Sequence, residues 1–111
     1  MSSYRMEHND AGCRVLIDGG LTAGLVPELQ QVLRQEVDGG TQQLTIDFAD
    51  AYMVDSSGIG LLIAASNSLS QKSGKLAVVN ASPEIFRLLR SMRLVPRLNV
   101  SERPHPEPRH E

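Results

Sequence analysis

The sequence predicts an α/β protein: a mixed, mostly parallel sheet of about five strands with three helices mainly on one face. Three observations carry that expectation. Segments with a two-residue apolar period alternate with segments whose apolar residues recur every three or four positions. Clusters of Gly, Asn and Asp fall between them and mark turns. The chain has 111 residues, the size of one domain, and a strand–helix–strand alternation within one domain implies right-handed crossovers and parallel pairing.

The elements follow in order. Tyr4 to His8 reads as a weak strand, Asn9-Asp10-Ala11-Gly12 as a tight turn, and Cys13 to Asp18 as a second strand closed by Gly19-Gly20. Leu25, Leu29, Val32, Leu33 and Val37 then form one stripe of a helix, with Pro27 in the first turn and Gly39-Gly40 after the last. Leu44 to Phe48 is the strongest strand, and Tyr52 to Val54 is a short extended piece. From Ser57 the pattern is helical again, with Ile59, Leu62, Ile63, Ser66 and Leu69 on one side and Gly74 as the stop. Leu76 to Val79 is a buried strand. Ser82-Pro83-Glu84 supplies a cap, a first-position proline and an early acid for a third helix striped by Ile85, Leu88, Leu89 and Met92. Leu98 to Val100 reads as an edge strand. The domain is therefore expected to span residues 1–100, with 101–111, which hold three prolines, as a disordered tail.

Composition removes several classes of function. Eleven basic against thirteen acidic residues leave a net charge of −2, with none of the basic excess a nucleic-acid binder needs. The longest nearly apolar run, Ile59 to Ala65, is too short to span a bilayer, and Met1 to Arg5 leads into no secretory signal, so the cytoplasm is the expected location and no membrane insertion is expected. Cys13 is the single cysteine, and it is expected neither to form an internal disulfide nor to supply a zinc site. Neither a metal nor another cofactor is expected. Stacking on bases or sugars is disfavoured with Tyr4, Tyr52, Phe48 and Phe86 as the whole aromatic set.

Catalytic patterns fail one by one. His8, His105 and His110 lie near the termini, away from any serine–acid pair that would need a base. Val54 and Asp55 stand where a nucleophile elbow has its first glycine. Gly58-Ile59-Gly60 opens a dinucleotide fingerprint that Ile63 breaks. Asp47, Asp50 and Asp55 read as solvated turn acids rather than a metal site. The chain is not expected to be an enzyme. Arg87, Arg90 and Arg93 read as a solvated helix face, Cys13 as a buried small hydrophobe, and Met53 and Met92 as core filling.

One segment stands apart, Val54-Asp55-Ser56-Ser57-Gly58-Ile59-Gly60, where a strand ends and a helix begins within three residues. Either hydroxyl could cap the helix, Asp and Ser both being good caps, and on the residues alone plain capping ranks ahead of function. Two serines after an acid exceed what a cap requires, and a helix start tolerates phosphate well.

The stretch from Ile46 through Gly60 resembles the signature of the STAS domain, more specifically of bacterial anti-sigma factor antagonists, whose motif reads D-S-S/T-G-L-G after a strand. The resemblance runs from about Tyr4 to Val100. It implies phosphorylation on the serine directly after the aspartate, Ser56, with Ser57 as neighbour, by a cognate serine kinase that is also the anti-sigma factor. It implies that the unphosphorylated protein binds the kinase through Asp55, Ser56, Ser57, Gly58, Ile59 and Thr22, that binding frees the kinase's client, and that a phosphatase restores the serine. The chain departs from the family at Gly19-Gly20-Leu21-Thr22, where an aspartate often stands at the position of Thr22. A second reading is an accessory or scaffold STAS subunit of a lipid-transport or signalling complex without a phosphorylation cycle; the intact Asp55-Ser56-Ser57-Gly58 favours the first.

Overall fold

A computed structural model describes residues 3–104. Five strands form one sheet in the order β1-β2-β3-β4-β5. β1 (Tyr4–Asn9) and β2 (Gly12–Leu21) make an antiparallel hairpin, and β3 (Gln43–Val54), β4 (Lys75–Ala81) and β5 (Val100–Glu102) each add in parallel to the strand before. The connections are α1 (Val26–Asp38), α2 (Ser56–Gln71) and α3 (Pro83–Ser91) followed by the short α4 (Val95–Leu98). Each crossover steps one strand further in the same direction, and right-handed crossovers then put the connecting helices on one face. The expected fold class is the observed one.

Local chemistry sets the joints. The Asn9 carboxamide oxygen accepts from the amides of Ala11 and Gly12 at 2.8 and 3.0 Å, closing the hairpin. Gly12 has φ +143°, and a Cβ there would lie 2.0 Å from the Gln43 carbonyl oxygen, so the turn requires glycine. The Ser82 hydroxyl caps α3 by accepting from the Ile85 amide at 3.2 Å. Val15, Ile17, Leu44, Ile46, Phe48, Leu76 and Val78 of the sheet pack on Leu29, Leu33, Leu62, Leu69, Ile85 and Leu89 of the helices in one core. Cys13 is buried with them.

Several expectations change. β2 continues through Gly19-Gly20 to Leu21, its register shifting between Leu16 and Asp18 and again at Gly19-Gly20. β3 is one continuous strand to Val54, not a strand and a separate piece. Asp47 is 4% exposed rather than solvated: its carboxylate accepts from Arg14 Nε at 3.0 Å and from Arg14 Nη2, from Asn80 Nδ2 at 3.0 Å and from the Ala49 amide at 2.8 Å. Burial alone would raise its pKa; the bonds from Asn80, Ala49 and Arg14 outweigh it and hold the carboxyl below its ordinary range. Met53 and Met92 are 48% and 46% exposed, so neither fills the core. Met92 is the C-cap of α3 and lies past its last turn.

The C-terminal strand begins later than expected. Val95-Pro96 opens α4, Asn99 takes a left-handed φ of 50° with its Nδ2 donating to the Leu76 carbonyl at 2.7 Å, and pairing starts at Val100. The domain boundary placed after residue 100 is therefore too early. The Arg103 amide donates to the Ala81 carbonyl at 2.7 Å, and its Nη2 donates to the carbonyls of Phe48 and Ala49 at 3.0 and 2.8 Å. The rest of the expected tail, 105–111, lies outside the described residues.

Arg103→Ala removes two charge-assisted bonds and strands two carbonyls, so it is expected to cost about 1–2 kcal/mol and lower the thermal midpoint by roughly 5–10 °C. Calorimetry of the two proteins at one pH checks this; an unchanged midpoint would leave the 101–104 segment without a structural role.

Candidate functional site

The joint between β3 and α2 gathers the residues singled out in the sequence. Asp55 is the N-cap of α2, extended at φ −105° and ψ −176°. One carboxylate oxygen accepts from the Gly58 amide at 3.0 Å and the other from the Ala23 amide at 3.0 Å, while the Asp55 amide donates to the Leu21 carbonyl at 3.2 Å. Of the capping residues open in the sequence, the aspartate and not a serine hydroxyl caps the helix. A carboxylate is the better occupant because it reaches two segments at once. The amides of Gly58 and then Ala23 hold its carboxyl below the ordinary range.

Ser56 and Ser57 are the first two residues of α2, and both are exposed. Thr22 is half-buried in the loop that Asp55 anchors, and its carbonyl accepts from the amides of Leu25 and Val26 at 2.9 and 3.0 Å, opening α1. Gly58 and Ile59 are buried. Both were expected to contact a partner; in the fold they are turned inward and seat the helix. A Cβ on Gly58 would lie 2.2 Å from the Leu21 carbonyl oxygen and 2.9 Å from side-chain atoms of Leu21 and Val54.

The residues the sequence reading missed are Tyr52 and Met53. Tyr52 is 77% exposed, and both stand just before the Asp55 cap between the buried Ala51 and Val54. In the folded chain the buried positions three apart break the two-residue alternation of the strand and turn the pair between them outward. An exposed aromatic and an exposed methionine thus end the strand shortly before the two exposed serines that open the helix. No helix among the described residues is long and apolar enough to cross a membrane.

A sheet of this order, with an aspartate-capped, serine-led helix after its central strand, is the architecture matched by the STAS domain family model over residues 3–105, and the chain belongs to that family. Among characterised relatives it is similar to the anti-sigma-B factor antagonist of Staphylococcus aureus, 30% identical over 88 residues that cover 79% of this chain and 82% of that protein. The Staphylococcus epidermidis antagonist is 31% identical over the same span. Among solved structures, phosphorylated SpoIIAA of Bacillus superposes with a TM-score of 0.75 at 18% identity, covering 92% of each chain. The unphosphorylated form gives 0.70 at 19% identity over 78% of this chain and 81% of that one. An anti-sigma factor antagonist from Mycobacterium paratuberculosis gives 0.77 at 23% over 87% and 82%.

Two outcomes test the joint. Alanine gains about 1 kcal/mol over glycine in helix propensity, yet Gly58→Ala is expected to lose about 1–3 kcal/mol net because its methyl meets a backbone carbonyl. Gly60→Ala, with nothing within 4 Å, is expected to be neutral or stabilising. Urea midpoints of both variants decide it, and equal effects would refute the close approach. Asp47 and Asp55 are both held below their ordinary range, so the stability they contribute is complete above about pH 5 and drains away below about pH 4 as the folded carboxyls protonate. Asp55→Asn keeps a capping oxygen but removes the titration. Its urea midpoint is expected to fall less steeply between pH 5 and pH 3 than that of the unsubstituted protein.

Proposed function

We propose that this chain is an anti-sigma factor antagonist acting in the cytoplasm. Unphosphorylated, it binds a cognate serine kinase that is also the anti-sigma factor and so releases that kinase's client; phosphorylation of Ser56 ends the binding, and a phosphatase reverses it. It catalyses nothing itself. The observation that carries this reading is the exposed Ser56 at the first position of α2, directly after the Asp55 cap. The names of its relatives support it.

The physics of the switch is local. A phosphoryl group adds about −1.5 to −2 charges beside Asp55. Within the chain, the start of α2 offers its positive dipole end and solvent stays in contact, so the fold accommodates the charge. A partner covering Ser56, Tyr52 and Met53 must instead desolvate a dianion next to a carboxylate. A penalty of about 3 kcal/mol weakens binding roughly a hundredfold.

Incubation with candidate serine kinases from its own genome, followed by phosphosite mapping, tests the proposal. Ser56→Ala is expected to take up no phosphate and to bind the kinase constitutively. Ser56→Asp is expected to bind about a hundredfold more weakly with an unchanged circular-dichroism spectrum. Ser57→Ala is expected to keep the site. Incorporation that survives Ser56→Ala and vanishes in Ser57→Ala would move the site by one residue, and no incorporation from any cognate kinase would favour the accessory-subunit reading.

A further inference from the structure

We propose that His8, Cys13 and Glu36 form a binding site for one divalent cation of the zinc class, built from residues that the proposed switch does not use. The sequence reading set zinc aside because Cys13 is single; the fold supplies the other two donors. His8 and Cys13 are directly opposite one another in the β1–β2 hairpin, so their side chains share the face on which α1 lies. Glu36 descends from α1 onto them. One imidazole nitrogen, the thiol sulfur and a carboxylate oxygen all lie within 4.8 Å of one another, the one such group among the described residues.

The arrangement is organised beyond proximity. One Glu36 oxygen is 2.9 Å from His8 Nε2, and the other accepts from the Thr41 hydroxyl at 3.0 Å, which fixes the carboxylate's orientation. Cys13 is buried, whereas His8 is exposed, so the thiol is a fixed donor on the inner side and solvent reaches the site from the outer side. Mixed sulfur, nitrogen and oxygen donors suit a borderline cation, and three protein ligands with water as the fourth is a coordination zinc commonly adopts. Donors around tetrahedral zinc stand roughly 3.3–3.8 Å apart given bond lengths of about 2.0–2.3 Å. With the three donors all within 4.8 Å of one another and His8 Nε2 already 2.9 Å from a Glu36 oxygen, shifts of about 1 Å meet that spacing.

Binding is balanced in charge. The Cys13 thiol loses its proton to solvent and ligates as thiolate, the His8 proton sits on Nδ1 so that Nε2 ligates through its lone pair, and the Glu36 oxygen exchanges its bond to His8 for the metal. Two negative ligands neutralise the divalent cation, and one proton is released per metal bound.

Co2+ titration of the full chain near pH 7.5, followed by absorption spectroscopy, tests the site. One equivalent is expected to produce a thiolate-to-cobalt charge-transfer band with tetrahedral d–d absorption, both abolished by one equivalent of Zn2+. Cys13→Ser is expected to remove the charge-transfer band. His8→Asn and Glu36→Gln, at exposed and half-buried positions, are expected to keep the native circular-dichroism spectrum and to weaken binding at least tenfold while leaving His105 and His110 intact. Thr41→Val is expected to weaken it roughly tenfold through the freed carboxylate. Absence of the charge-transfer band in the unsubstituted protein, or undiminished affinity in His8→Asn, would overturn the proposal.

Discussion

The structure depends on the contact between the end of β2 and the first turn of α2. Gly58 lets the helix backbone approach the Leu21 carbonyl to a distance no side chain would permit. The Asp55 carboxylate then ties the Gly58 amide to the Ala23 amide. A strand end, a helix start and the loop into α1 become one rigid corner. The two serines sit on the outside of that corner, and nothing on the inside could move without unseating α2.

That corner also separates two kinds of residue that the linear motif presents as one string. Asp55, Gly58 and Ile59 hold the helix in place, whereas Ser56, Ser57, Tyr52 and Met53 face solvent. A binding surface built on a packed corner is presented with little conformational freedom, so a partner loses little to ordering it.

Much of this was legible in the residues. The apolar stripe of α1, the alternation of β3 and the Ser82-Pro83 start of α3 are local patterns, and the structure follows them. What escaped depended on neighbours distant in sequence. Register shifts opposite Gly19-Gly20 invert the parity at the end of β3, which turns Met53 outward. Asp47 is buried because Arg14 and Asn80, 33 residues away on either side, converge on it. Ile59 looked like part of a surface motif because the sequence does not reveal how closely α2 approaches β2. His8, Cys13 and Glu36 carry no recognisable spacing, since a hairpin and a crossover helix bring them together.

The strand order has a further consequence at the middle of the sheet. β4 pairs with β3 only as far as Asp47, while β3 runs on to Val54 held by β2 alone. Half of the central strand is therefore, in effect, a second edge, of the kind onto which a foreign strand could zip. Its first two carbonyls, Phe48 and Ala49, are already taken by the Arg103 guanidinium. A single cation folded back from beyond β5 thus acts as a stopper: it satisfies the acceptors where a strand would begin to pair and places a charge in that strand's path.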